Sequence, residues 1–404
     1  MGLFARICEL STKRLEYRNG PTPDEWSRFT PEEKNIFFKQ EAAYNRILLD
    51  THEAEIEERY RSLTHEQARE IIFEACAYYD GVVDTAHTYI VEITLQKIAI
   101  YQPDALIGLH DLLFDRHLAW TDGLIYRNAD TVTRDRMVAL VQDAEKLSAW
   151  HEEVLRGLAW IDDKSVQDKF LQWGTSPLAW TWESGYSPVG RFDWYAGWEF
   201  DRIGQRRQLC FAPTFALMKP SSDVELSNSS VSVGGPAPGN CPWCGRNFTC
   251  ILDIQSPMLQ SLTAKEGQRL RIIACLNCSL QEPTFFDIDL QGNAVWSVSN
   301  GNQPSDLYLY PDEHVMNISA KSLVLGKPHQ PYLHIGAYWS HGLSQLGGYP
   351  EWVQYPEYPT CPTCHQTMIF ISQISPRDIT GDEGLIYAFV CFECGKTTLG
   401  FQST

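Results

Sequence analysis

Positive charge is scarce in this chain. Lys and Arg number 33 against 51 Asp and Glu, a formal net charge of −18 over 404 residues. Residues 1–220 and 221–404 are each net acidic, so no single tail holds the excess. A surface of this sign lacks the basic face that displaces counterions from a phosphate backbone. Nucleic acid and anionic membrane are therefore poor expectations as direct partners, and a basic protein is a better one. Long apolar runs are missing too. YIVEITLQKIAIY is interrupted by Glu92 and Lys97 well short of the ~20 residues a membrane span requires. The opening MGLFARICELSTKR is broken by Arg6, has no small-residue cleavage site, and carries Arg6 where an N-myristoylation pattern needs Ser or Thr. A soluble cytoplasmic protein is expected.

The motifs of common enzyme classes are also absent. There is no P-loop, no G-x-G-x-x-G, no G-x-S-x-G elbow and no H-E-x-x-H. Two groupings in the first half could hold a metal or run acid–base chemistry: Asp80, Asp84 and His87 at helical spacing, and His110, Asp111, Asp115 and His117 in LHDLLFDRHLAW. The plainer reading of both is a solvated helix face in an acidic protein. The expectation is a chain without enzymatic activity.

Cysteine, by contrast, is plentiful and patterned. Eight of the 12 fall in four C-x-x-C pairs, Cys241/Cys244, Cys275/Cys278, Cys361/Cys364 and Cys391/Cys394, while Cys8, Cys76, Cys210 and Cys250 stand singly. In C-x-x-C the chain doubles back so that two thiolates face one point, and two such turns complete a tetrahedral S₄ cage. Paired thiols without an export signal read as metal ligands and not as bridges. Two structural Cys₄ zinc sites are expected. Iron in a rubredoxin-like site, one degenerate site, and redox disulfides remain as alternatives. Cys250 reads as a core thiol on a strand, and His365, beside Cys364, as a possible substitute ligand.

These pairs belong to an internal duplication. CPWCGRNFTCILDIQSP aligns without gaps to CPTCHQTMIFISQISPR, with Ile251 and Ile254 opposite Ile371 and Ile374, and RLRIIACLNC matches GLIYAFVCFEC as an apolar strand ending in C-x-x-C. Each copy is knuckle, strand, excursion, returning strand, knuckle, the plan of a zinc ribbon. The excursions 245–274 and 365–390 exceed the common ~15–20-residue spacing, so extra structure must lie between the knuckles.

The periodicity divides the chain. Residues 1–188 repeat apolar positions every three or four, with Ile71, Ala75, Tyr78 and Val82 on one stripe, Thr64 as an N-cap, and a new helix after the Asp162-Asp163 corner. LRGLAWIDDKSVQDKFLQW looks like one HEAT-type unit, and a solenoid competes with an irregular bundle. Residues 189–240 read as an aromatic-rich connector with a hairpin in WEFDRIGQRRQLCFAPTFALM and a Ser/Gly/Pro-rich linker. The tryptophans and tyrosines of 173–198 suit a buried seam or an exposed recognition platform. Residues 241–404 alternate with period two. The fold class expected is α+β: an N-terminal helical region, then a β-rich region with two duplicated zinc-ribbon-like units.

LGGYPEWVQYPEYPTCPTCHQTMIFISQIS followed by GLIYAFVCFECGKTT resembles the bacterial YwqG-like family in its zinc-knuckle-bearing branch, through Gly347-Gly348-Tyr349-Pro350, Trp352, Gln354, Cys361, Cys364, Met368 and Gln373. The resemblance covers about 60 residues at the C-terminus. It implies a β-rich fold without established catalytic residues, often encoded near secreted-toxin loci such as those of type VI secretion. The function it implies is that of an immunity protein, a cytoplasmic inhibitor of a cognate toxin. A rubredoxin-like redox protein and a zinc-ribbon module of the transcription or nucleic-acid machinery are the alternatives.

Overall fold

The computed structural model describes residues 60–403 apart from 82–84, 119–122, 145–147, 181–188, 221–228, 264–268, 312–315, 317, 319–322, 330–343 and 380–383. Cys8, Val82 and Asp84, and the side chains of Tyr78 and His87, lie outside the described set. The chain divides into two compact units between Pro188 and Val189, and the fold is α+β as expected, helical first and β-rich after.

The first unit is built from helices α1 His65–Gly81, α2 Thr85–Tyr101, α3 His110–Asp115, α4 Thr131–Asp143, α5 Ala149–Ile161 and α6 Lys164–Thr175. Thr64 caps α1 in a reciprocal box: Gln67 N donates to Thr64 Oγ1 at 3.2 Å and Thr64 N to Gln67 Oε1 at 2.9 Å. Ile71, Ile72, Ala75 and Cys76 are buried, which places the apolar stripe of α1 inward. The Asp162-Asp163 corner works as read. Asp162 ends α5 in the left-handed region at φ 48°, and Asp163 accepts from Val166 N at 2.9 Å to start α6. Trp173 and Trp180 are buried in this unit, with Trp180 Nε1 donating to Val141 O at 3.1 Å, and Trp198 is buried in the second unit. These three indoles form no exposed platform.

The second unit opens with the helical turn Phe192–Tyr195 and a hairpin, β1 Trp198–Phe200 with β2 Arg206–Gln208. Its remaining strands form one sheet: β3 Thr214–Met218, β4 Val231–Val233, β5 Pro236–Asn240, β6 Asn247–Gln255, β7 Arg269–Ala274, β8 Phe286–Ile288, β9 Ala294–Trp296, β10 Leu323–His329, β11 Gln345–Gly347, β12 Ile369–Ile374, β13 Leu385–Cys391 and β14 Lys396–Gln402. Short helices α7 Met258–Thr263 and α8 Pro376–Ile379 fill the two excursions. The segment 189–240 is more than the connector its composition suggests, since β3, β4 and β5 all enter the sheet. Val231 and Val233 are fully buried because β4 lies between β6 and β10; cross-strand pairing overrides the local Ser/Gly/Pro bias.

The duplication reaches residue level in the strand registers. In β6·β7, Cys250 pairs with Ile273 and Leu252 with Ile272, and the skipped residue, Ile251, is a bulge. In β12·β13, Phe370 pairs with Phe389 and Ser372 with Ala388, and the bulge is Ile371, the alignment partner of Ile251. β4 pairs with β6 through Ser232↔Asp253 and Val233↔Leu252, just as β11 pairs with β12 through Gln345↔Gln373 and Leu346↔Ser372. Gly234-Gly235 follows β4, and Gly347-Gly348 spans the end of β11, all four with positive φ. The repeat therefore begins before the knuckles.

The copies also exchange a strand. β3 precedes β4 in the chain yet pairs with β11, while β10 precedes β11 yet pairs with β4. Leu346↔Phe215 on one side answers Val233↔Leu323 on the other. β3 and β10 meet antiparallel at the centre through Leu217↔Leu325 and Met218↔Val324. With Leu217 and Leu325 as equivalents, each pairing with the other, the sheet has a local pseudo-two-fold at this pair. The apolar cluster around it takes residues from both copies, including Leu217, Val233, Ile251, Leu346, Ile371 and Ile386.

Candidate metal centres

Each copy brings its four thiols together. Cys241, Cys244, Cys275 and Cys278 form one group and Cys361, Cys364, Cys391 and Cys394 the other, with the Sγ atoms of each group within 4.8 Å of one another. The pairings are those expected from the spacing. Cys241 Sγ lies 3.8 Å from Cys278 Sγ, Cys244 Sγ 3.3 Å from Cys275 Sγ, and Cys364 Sγ 3.7 Å from Cys391 Sγ. None is disulfide-bonded. A tetrahedron with metal–sulfur bonds of about 2.3 Å has sulfurs about 3.8 Å apart. The donor set thus fits a four-coordinate thiophilic ion, with every position of the shell filled by the chain.

The knuckles are shaped by the backbone. Gly245 N donates to Cys241 O at 2.8 Å and Cys241 N to Arg246 O at 2.8 Å; His365 N donates to Cys361 O at 2.8 Å and Cys361 N to Gln366 O at 2.8 Å. The fifth residue of each turn is left-handed, Gly245 at φ 77° and His365 at φ 55°. His365 is therefore the counterpart of a turn glycine, and it is not part of the thiol group. Its candidacy as a substitute ligand is not supported.

The thiols are unequal before a metal enters. Cys241 is pulled down to about 4 by the Cys275 and Cys278 S–H groups and, against burial, by the Cys244 and Trp243 amides. Burial pushes the Cys361 thiol up, but the Cys364 and Thr363 amides and neighbouring thiols bring it below its ordinary value. Cys278 is pushed up by its bonds to Cys241 and Cys275, and Cys391 chiefly by burial. A metal ion would replace the protons of the thiols, so its uptake releases them.

The surroundings differ between copies. At the first centre Asn277 Nδ2 reaches Cys278 Sγ at 3.7 Å, and Phe248, Phe286 and Trp296 pack beside Cys241 and Cys275. At the second, Tyr358, Phe370, Tyr387 and Phe389 line Cys361 and Cys391. Arg207 there pairs with Glu199 at 2.7 Å and donates to Gln366 Oε1 at 2.8 Å, while Arg202 donates to Cys364 O. Asn277 lies within the Cys275/Cys278 knuckle itself, whereas the two arginines carry no sequence signal, because they come from β2 and the turn before it, remote in the chain from the thiols they brace. Cys250 is a core thiol on β6, buried and pushed up to about 12 by desolvation.

The grouping of His110, Asp111, Asp115 and His117 does not assemble, and of the other grouping only Asp80 is described with its side chain. Asp80 is held by Arg116 at 2.7 Å, and Arg136 pairs with Asp111 at 2.6 Å and Asp115 at 2.5 Å. His110 points inward, where burial pushes it down to about 4, and the His117 ring lies tilted against Trp150 with centroids 4.6 Å apart. Among the described residues only the two cysteine quartets form such a cluster. No helix is long and apolar enough to cross a membrane, among those described.

No family model matches the chain, and no solved structure matches it. The chain is similar to an uncharacterised protein, YpfL, of Salmonella typhimurium strain LT2. The two are 29% identical over 352 residues, which cover 86% of this chain and 80% of the relative. That length must take in parts of both units, so the likeness extends beyond the cysteine-bearing copies to the helices.

Proposed function

We propose that this chain is a non-enzymatic binding protein of the immunity type, which neutralises a cognate basic toxin in the cytoplasm through its acidic exterior. The observation that carries the reading is the net charge of −18 on a chain whose cysteine quartets offer a metal no open position. Toxin domains that attack nucleic acid or nucleotides have basic clefts. An acidic inhibitor is steered to such a cleft and raises its own association rate. The YwqG-like resemblance of the C-terminal copy points the same way.

Zinc is the ion proposed for both quartets, since it suits four thiolates and a closed structural shell. Bound there, it supplies folding free energy by tying each entering knuckle to its returning partner. Cys241, Cys244, Cys275 and Cys278 hold one ion, and Cys361, Cys364, Cys391 and Cys394 the other.

Co-expression with the toxin encoded by the adjacent gene tests the function. Rescue of growth together with co-purification of a complex is expected. A toxin that neither binds nor is neutralised rejects the reading.

A further inference from the structure

β9 is the last strand along one end of the large sheet, with Arg269 of β7 packed against Gly292 in the turn before it. β9 pairs with β8, and among the described residues no other strand is hydrogen-bonded to it. Asp289 N donates to Asn293 O at 3.1 Å and Ser297 N to Phe285 O at 3.0 Å. Antiparallel alternation then directs the Val295 backbone toward Asp287, and the N–H and C=O groups of Ala294 and Trp296 away from β8.

The residues around this edge are apolar and exposed. Val298 is 93% exposed, Leu290 66% and Val295 61%, and Tyr308, Leu309 and Tyr310 are exposed as well. A strand edge flanked by exposed apolar side chains is a template for pairing with another chain. Along the chain the charge here is of one sign, although Arg246 reaches in from outside the stretch to donate to Tyr310 O and Arg269 packs against Gly292. Residues 272–320 contain Glu282, Asp287, Asp289, Asp306, Asp312 and Glu313 and no Lys or Arg. Asp287 is neutralised by Lys396, but Asp289 and Asp306 are exposed.

The same segment is fastened to the first metal centre. Trp243 Nε1 donates to Gly301 O at 3.3 Å, Asn277 Nδ2 to Tyr308 O at 3.4 Å, and Tyr310 N to Asn277 Oδ1 at 3.0 Å. Leu307 and Trp296 pack in one cluster with Cys241, Cys275 and Cys278. The tyrosines are thereby brought to the end of the sheet that β9 occupies.

We propose that this edge docks an extended, lysine- or arginine-rich segment of a protein partner. The segment adds to β9 through Ala294 and Trp296, lays its apolar side chains against Val298 and Tyr308, and turns its cations toward Asp289 and Asp306. Nucleic acid is repelled by the acidic stretch, and a second copy of the chain would bring the same acidic edge against itself. The proposal rests on the reading of the chain as an acidic binding protein and names the surface it uses.

Fluorescence anisotropy on the full, metal-loaded chain tests it, with a labelled decapeptide alternating Lys and Val as probe. Saturable binding that weakens with salt is expected, together with loss of binding when Glu replaces Lys or when alternate peptide nitrogens are methylated. Ala294→Pro removes an outward donor without touching the β8 pairing, and Val298→Lys with Asp306→Lys reverses the surface. Each variant should lower affinity at least about tenfold, with metal content and melting temperature unchanged. An indifferent peptide, equal binding by the variants, or self-association through the edge in place of peptide binding overturns the proposal. Toxin neutralisation that survives in the variants removes this surface and leaves the function standing. Peptide binding without neutralisation by the parent chain removes the function and leaves the surface.

Discussion

Gly245 and His365 hold the same place in two knuckles, and the left-handed φ there favours glycine. A Cβ at Gly245 meets nothing within 4 Å, so Gly245→Ala carries only the backbone penalty, about 1–2 kcal/mol. Conversely, His365→Gly is expected to stabilise the second copy by about 1 kcal/mol. Denaturant melts with elemental analysis check this, and loss of metal in His365→Gly would reinstate the imidazole as a ligand. In the helical unit, Glu92 is buried and pushed up to about 8 by desolvation and by Glu153, itself pushed up to about 7 by desolvation. A carboxyl whose folded value lies above its unfolded one favours folding when protonated, so its contribution is lost as pH rises from the ordinary carboxylate range through 8. His110 works in the opposite sense. Buried neutral at about 4, it withdraws stability as pH falls below its ordinary value. Stability of the helical unit should therefore rise from pH 8 to about 6.5 and then be opposed. Glu92→Gln should be more stable than the parent at pH 8, with a flatter profile by calorimetry.

Among the elements, the ones best read in advance are those with strong local signals. The Thr64 cap, the Asp162-Asp163 corner and the strands ending in C-x-x-C all fall where residue pattern places them. β4, β5 and β11 are the opposite case. Each is three to five residues of small or polar character, and each is a strand only because longer neighbours pair with it. Gly347 shows how tight that pairing is. It sits at φ 69°, and a Cβ there would approach Pro213 O to 2.0 Å. Gly347→Ala must push β11 away from β3 and should cost more than the backbone term alone, above about 2 kcal/mol. Loss of the cooperative transition of the β unit, with the helical transition retained, is the expected calorimetric result.

For the whole molecule, the two centres predict a stoichiometry. Elemental analysis should return two zinc per chain in a colourless sample, and Cys275→Ser should leave one. A red sample with iron would select the rubredoxin-like alternative. Chelation should unfold the β unit well below the melting temperature of the loaded chain, because an ion bound in each quartet would tie the entering knuckle to the returning one. The exchanged strands make this loss mutual. β3 and β10 each complete the other copy, so damage at one centre should also lower protection in the opposite copy, measurable by hydrogen exchange at β11 after Cys275→Ser.

The residues by themselves determined the two thiol quartets, the duplication around them and the change from helical to strand periodicity. Each of these is written in short-range spacing that survives without a partner. Only the tertiary structure decided that the repeat begins at a strand inside an apparent linker, that the copies trade strands across Leu217 and Leu325, and which loops brace each centre. Those depend on hydrogen bonds between segments a hundred residues apart, where local composition carries almost no information.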